Sequence, residues 1–178
     1  IGNRAKLKND LLPAMASWSS ERGYPFIFNT EVSINLAKDD SLMRAMTDAG
    51  FRMVFVGIET PEQSSLRECG KVQNQGEDLL GAVKTLQRNG LDVSAGFIVG
   101  FDHDTEDIFD RQISFIQESG IVTAMVGLLT AETGTRLYDR LEREERILEH
   151  ATGNNTDGVL NFIPRLDRHS LLHGYRRV

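Results

Sequence analysis

The chain has 178 residues, 40% of them hydrophobic, which is enough to bury one core without disulfide or metal staples. Its 20 basic and 26 acidic residues give a net charge of -6, excluding the electrostatic footprint of nucleic-acid binding or of attraction to an anionic membrane surface. Cys69 is the only cysteine, so an internal disulfide or a multi-cysteine metal site built by this chain alone is excluded and a cytoplasmic setting is the default.

The first residues, Ile1 to Lys8, do not read as a signal peptide, and no apolar run reaches the length of a membrane span. A start at Ile1 in mid-pattern is expected of a piece cut from a longer protein. A leading helix is predicted over Arg4 to Arg22, closing at Gly23. The first strand follows from Phe26 to Ile34, then a helix from Asp40 to Ala49 with Leu42, Met43 and Met46 on one face.

The second strand is Arg52 to Glu59. A polar connection, Pro61 to Gly76, holds a short helix around Ser64 to Glu68, and a regular helix runs from Glu77 to Asn89 with a stripe of Leu79, Leu80, Val83 and Leu86. The third strand is Asp92 to Phe101, and its helix, Glu106 to Ser119, buries Phe109, Ile113 and Ile116. Asp104 or Thr105 can cap that helix, with Glu106 and Asp107 in its first turn. The fourth strand is Val122 to Thr130, with a helix from Arg136 to Ile147.

Ala49-Gly50, Asn89-Gly90 and Ser119-Gly120 each end a helix and lead straight into an apolar strand. Glycine supplies the left-handed conformation that ends the helix. Repeated tight returns of this kind predict four parallel βα units with right-handed crossovers. In the first strand Phe28, Val32 and Ile34 oppose Asn29, Glu31 and Ser33; in the second, Val54, Val56 and Ile58 oppose Phe55, Gly57 and Glu59. The third groups Ser94, Gly96, Ile98 and Gly100. An open sheet covered on both faces should be apolar on both. The asymmetry instead favours an α/β fold of partial TIM-like barrel type, with helices outside and a ligand at the carboxyl ends of the strands. Gly96 and Gly100 interrupt a buried strand, where glycine signals close approach of a ligand or of another backbone.

Three segments carry a resemblance: Val54-Phe-Val-Gly-Ile-Glu-Thr60, Gly96-Phe-Ile-Val-Gly-Phe-Asp-His-Asp-Thr-Glu106, and Leu128-Leu-Thr-Ala-Glu-Thr-Gly-Thr-Arg-Leu-Tyr138. In order and spacing, over about Phe26 to Ile147, they resemble the later strands of a radical S-adenosylmethionine (radical SAM) enzyme, of the subgroup in which a cobalamin-binding domain comes first and which includes hopanoid methylases. Asn161 to Val178 resembles the start of that subgroup's C-terminal region, which divides the chain into 1-150 and 151-178. The resemblance implies a six-stranded partial barrel of which strands three to six are present, the missing pair preceding Ile1. It also implies a 4Fe-4S iron-sulfur cluster on a Cys-x3-Cys-x2-Cys triplet, which this chain lacks, and reductive cleavage of S-adenosyl-L-methionine for oxidoreductase or methyltransferase chemistry. Cobalamin-dependent methyl transfer to an unactivated carbon is the finer expectation. The isolated chain is then expected to be inactive.

Carried over by position, Glu31 and Ser33 would lie near the ribose or methionine part of the cofactor, Glu59 beside them, and Ile98, between Gly96 and Gly100, against the adenine. Carboxylates suit hydroxyls and ammonium groups, and a flat base needs an apolar wall. Ala131-Glu-Thr-Gly departs from the Leu-Pro-Gly usual in relatives, so the last loop is expected to differ.

Plainer readings stand beside these. Glu31 and Glu59 can cap helices or pair with Lys38, Arg52 or Lys71, and Gly96 and Gly100 can serve strand packing alone. Asp102-His103-Asp104 reads as a solvated helix cap before a metal site. His169 and His173 have zinc-motif spacing without the motif's acid, which favours a surface helix. Cys69 reads as an ordinary loop thiol, and Asp139 to Arg146 as a solvated helix face with i, i+4 pairs. Two rival functions remain open. Another TIM barrel, an aldolase or phosphate-binding isomerase, would need a Schiff-base lysine or phosphate-binding turn, and neither stands out. A noncatalytic partial barrel would bind a partner, or a second copy, through its exposed strand edge.

Overall fold

The computed structural model describes residues 4-151, 153 and 158-178. The first three residues of the leading stretch, with Thr152 and residues 154-157 near the start of the 151-178 segment, lie outside the described residues. Helices and strands alternate through α1 (Arg4–Lys6), α2 (Leu12–Glu21), β1 (Phe28–Val32), α3 (Asp40–Asp48), β2 (Phe51–Glu59), α4 (Gln63–Glu68), α5 (Leu79–Arg88), β3 (Asp92–Val99), α6 (Ile108–Ser119), β4 (Thr123–Leu128), α7 (Arg136–Arg143) and α8 (Arg168–Arg177). The strands form one parallel sheet in the order β1-β2-β3-β4, the sheet of an α/β partial barrel.

Two compact units share the chain. The first holds the residues up to Ile58, with Glu77–Ala95 and Gln117–Ala124. A π-helical turn, Leu7–Leu11, joins α1 to α2 with helical backbone at both Lys6 and Leu12, so the leading helix of the sequence pattern runs on through it. α3 begins where Asp39 accepts a hydrogen bond from the Leu42 amide at 3.1 Å, and Lys8 anchors the same carboxylate at 2.8 Å. Leu42, Met43 and Met46 are buried, as their spacing predicts. α5 buries Leu79, Val83 and Leu86, while Leu80 is only half-buried, because the helix starts at Leu79 and turns its apolar stripe slightly. β1 pairs with β2 from Phe28 opposite Phe51 to Val32 opposite Val56, with an irregularity after Phe28. β1 stops at Val32 rather than Ile34 because Ser33 caps a 3-10 turn, Ile34–Lys38. Gly50, Gly90 and Gly120 all have positive φ, the stop conformation foreseen for the three helix ends.

The second unit holds Glu59–Gly76, Gly96–Ile116 and Met125–Val178. Its core joins Val99, Phe101, Ile108, Phe109, Leu128, Leu129, Tyr138, Leu141, Leu160, Phe162 and Leu171. Each such side chain taken from water contributes about 1.5-3 kcal/mol. α6 starts at Ile108, two residues later than its polar lead predicts, and buries Ile108, Phe109 and Gln112, leaving Ile113 and Ile116 half-buried. α7 is capped by Thr135, which accepts from the Tyr138 amide at 3.2 Å, and ends at Arg143 instead of Ile147. Glu145 there takes a φ of 56°, and Ile147 forms an antiparallel bridge to Phe162. α8 packs through Leu171 and through Gly174, whose missing side chain makes room for the Phe109 ring.

Alternation along β2 and β3 matches the sequence pattern. Val54, Val56 and Ile58, and likewise Val93, Ala95, Phe97 and Val99, are buried. Phe55, Gly57 and Glu59, with Ser94, Gly96 and Ile98, remain half-buried on the other face.

Candidate active site

In the first unit, Glu31 is exposed on β1 and its carboxylate has no partner among the described residues. Ser33 is committed to its cap, accepting from the Asn35 amide at 3.4 Å. Of the alternative cations, Lys38 pairs with Glu77 at 2.6 Å, and Arg52 donates to the carbonyls of Thr47 and Phe51.

In the second unit, Glu59 ends β2 with a φ of 67°, a left-handed conformation that costs a non-glycine residue about 1-2 kcal/mol. Its Oε1 accepts from the Lys71 ammonium, while Oε2 has no hydrogen-bond partner among the described residues. The chain then turns: Thr60 Oγ1 accepts from the Glu62 amide at 3.1 Å, and Glu62 caps α4 through the Ser64 amide at 2.9 Å. That amide and Arg111, 2.7 Å away, hold the Glu62 carboxyl below its usual range.

The neighbouring strand β3 carries the other predicted positions. Gly96 and Ile98 are half-buried, and the Ile98 carbonyl accepts from Gln112 Nε2 at 2.9 Å. Gly100 has a φ of 108°, and a side chain there would meet Leu171 at 3.4 Å and Leu129 at 3.5 Å. The fold by itself therefore accounts for glycine at position 100.

The loop after β3 overturns the reading of Asp102-His103-Asp104 as a solvated cap. Asp102 is 4% exposed and receives Arg140 at 2.5 Å and Arg146 at 2.6 Å. Burial alone would raise its carboxyl, but the two arginines hold it down at about 2. Asp104 is also buried; it accepts from the amides of Gly100 and Phe101 at 2.8 and 3.1 Å and from Ser65 Oγ at 2.8 Å. It thus closes the loop onto β3 instead of capping α6, and burial pushes its carboxyl up against these bonds. Glu68 accepts from Arg140 at 2.7 Å and meets His103 Nδ1 at 2.9 Å. The run Asp139 to Arg146 is accordingly only partly a solvated face: Arg140 and Arg146 turn inward to buried acids, while Arg140 and Glu144 keep an i, i+4 pair at 3.7 Å.

Set against known proteins, residues 135-178 match a family described as a domain of unknown function (DUF4070). The chain is 41% identical over 165 residues to an uncharacterized methyltransferase of Synechocystis, covering 92% of this chain and 31% of the relative. It is 36% identical over 163 residues to the hopanoid C-2 methylase of Rhodopseudomonas palustris, covering 92% and 30%. Over 112 residues it is 26% identical to a bacteriochlorophyllide d C-8(2)-methyltransferase of Chlorobaculum tepidum, covering 62% and 25%. Its fold superposes on the radical S-adenosylmethionine methyltransferase TsrM of Kitasatospora setae, a structure with cobalamin and a [4Fe-4S] cluster bound, with a TM-score of 0.62 at 19% identity over 90% of this chain and 32% of TsrM. Its sequence relatives are methyltransferases, and its fold is that of a radical SAM methyltransferase. It spans about a third of the length of its curated relatives.

Within this chain a four-iron cluster finds no cysteine triplet. Cys69 is the one cysteine; its thiol donates to the Leu66 carbonyl at 3.5 Å, and burial raises it, away from the thiolate that ligates metal. Among the described residues no group of three His, Cys, Asp or Glu side chains could hold a metal ion, and no helix is long and apolar enough to cross a membrane. His169 and His173 are both exposed on α8, their rings parallel with centroids 6.4 Å apart.

The departure at Ala131-Glu-Thr-Gly has a local explanation. Ala131 is fully buried, and the Asn161 side chain grips it from both sides, accepting from its amide and donating to its carbonyl at 2.9 Å each. Beside this loop, Glu68, Cys69, Phe101, Leu129, Arg136 and Arg140 line a cavity of about 400 Å³. From sequence, Lys71 enters only as a pairing partner of Glu59, a pair the structure shows, Asp102 and Asp104 enter only as a helix cap, and Arg140 is not singled out. The available signal was two acids one residue apart immediately after a glycine-broken strand, a pattern that solvated caps share.

Proposed function

We propose that this chain supplies the part of a radical SAM methyltransferase that holds the adenosyl portion of S-adenosylmethionine. The observation that carries the reading is Glu59: a strained, left-handed carboxylate at a strand end, one oxygen tied to Lys71 and the other open. S-adenosylmethionine would fit such a group, and would supply the methyl donor and the radical precursor when bound. Glu59 Oε2 would accept from the ribose hydroxyls. Gly96 and Ile98 would give the adenine a flat, partly apolar wall, and Gly100 would shape the strand end behind it.

With Cys69 as its one cysteine the chain supplies no cluster triplet, and alone it would not start the reaction. Methyl transfer in the complete enzyme, with cobalamin as a second cofactor, is supported by the names of the relatives and by the cobalamin bound in TsrM. Titration with S-adenosylhomocysteine tests the site. Glu59→Gln should weaken binding about tenfold or more, the loss of one charged hydrogen-bond partner; unchanged binding would overturn the assignment.

A second reading has its own support. β1 is the outer strand of the sheet, and Phe26 and Ile27 just before it are 59% and 77% exposed. Such an edge suits pairing with a partner strand or a second copy. A clean monomer in size-exclusion chromatography at high concentration would argue against self-pairing.

A further inference from the structure

We infer that His169 and His173 form a two-histidine site for a late divalent transition-metal ion, of the Zn2+, Ni2+ or Cu2+ class, on the outer face of α8. The site is independent of the cofactor reading of Glu59.

Spacing alone does not make such a site, because histidines at i and i+4 also occur on plain solvated helices. The geometry adds three observations. First, α8 is helical from Arg168 to Arg177, so both imidazoles rise from one face, and they lie parallel with centroids 6.4 Å apart. Second, both are exposed, and neither ring makes a hydrogen bond to another described residue. A side-chain rotation alone, with no bond to break, can bring a nitrogen of each to the distance of about 2.0-2.1 Å that a shared ion requires. The backbone beneath them is held: Asp167 Oδ2 accepts from the Ser170 amide at 2.8 Å, Leu171 is fully buried, and Gly174 lies against the Phe109 ring. Two ligands on a fixed helix give up little freedom on binding, the advantage of a chelate over a lone histidine. Third, His173 lines a groove in which Glu106, Asp107 and Asp110 face the single cation Arg177, a surplus of negative charge that concentrates cations.

Among the described residues no third side chain completes a closed set, so water would fill the remaining positions. Imidazole ligands select zinc, nickel and copper over Mg2+ and Ca2+, which take oxygen. Ser170, Leu171 and Leu172, between the two histidines, include no acid to serve as a general base, so the site binds an ion without the equipment for hydrolysis.

The test titrates NiCl2 and, separately, MgCl2 by calorimetry into the chelator-treated chain and into His169→Ala, His173→Ala, the double variant and His150→Ala, with melting in EDTA as the check of folding. One Ni2+ per chain is expected, with no uptake of Mg2+. Either single variant should weaken Ni2+ by at least about tenfold, and the double variant should add little, because one histidine left alone no longer chelates. His150→Ala should bind as the wild type does, and Ni2+ should raise the melting temperature only where both α8 histidines remain. Unchanged affinity in either single variant would overturn the pair, since the ligand would then be one histidine or another group. Mg2+ bound as well as Ni2+ would overturn it too, assigning the ion to the carboxylates of the groove.

Discussion

Asp102 and Glu59 are both acids at the carboxyl ends of neighbouring strands, and the second unit treats them in opposite ways. Asp102 is 4% exposed and has both oxygens taken by guanidinium groups. Glu59 is 18% exposed, holds one lysine through one oxygen, and sits on a left-handed backbone. A saturated buried carboxylate serves stability, since removing one side strands the charges of the other. A half-satisfied carboxylate on a strained residue retains capacity for a ligand. The contrast separates a saturated acid from a half-satisfied one within one unit, although both belong to strand-end patterns that look alike as text.

The sharpest way to break this contrast is Asp102→Ala. It leaves Arg146, 13% exposed, and Arg140 without their buried partner, and should cost about 3-5 kcal/mol in chemical denaturation. A loss below about 1 kcal/mol would show that the arginines find water or other acids. Next in size, Gly174→Ala would set a methyl group 2.2 Å from the Phe109 ring, which is itself buried; a loss of about 3 kcal/mol and release of α8, read by hydrogen exchange, are expected.

Acid titration sharpens the comparison further. The Asp102 carboxyl is lowered from 3.8 to about 2, so its contribution is complete above pH 4 and is lost as pH falls through that interval. The loss should be about 2 kcal/mol of unfolding free energy, absent in Asp102→Asn. Glu59→Gly should behave oppositely to Asp102→Ala. It relieves the left-handed strain while giving up the Lys71 pair, so stability should change by less than about 1 kcal/mol while S-adenosylhomocysteine binding falls. The smallest effect is expected at Asp104→Asn, because an amide can still accept from the Gly100 and Phe101 amides through its oxygen and meet Ser65 through its nitrogen. A change above about 1 kcal/mol at pH 7 would show that the buried negative charge itself matters.

Much of the architecture was legible in the residues alone. The three glycines that stop helices, the stripe of Leu42, Met43 and Met46, and the two-residue alternation in β2 and β3 are local consequences of backbone conformation and of side-chain period, and they held. Element ends were less legible. α7 stops at Arg143 because Glu145 turns left-handed and Ile147 bridges to Phe162, a partner fifteen positions on that no window around the helix contains.

The sequence by itself determined the α/β order, the parallel sheet, the asymmetric faces and Glu59 as a candidate, because these follow from local periodicity, glycine placement and the order of motifs. Only the tertiary structure decided which acids are spent and which are open. Asp102 and Asp104 look solvated in a hydrophilic run, yet Arg140, Arg146 and Ser65 arrive from thirty-eight to forty-four positions away and bury them. Glu59 became distinctive only when its backbone proved left-handed and a reversal at Gly70 placed Lys71 against one of its oxygens. Charge partners and backbone strain depend on which segments meet in space, and that information is not carried by any one segment.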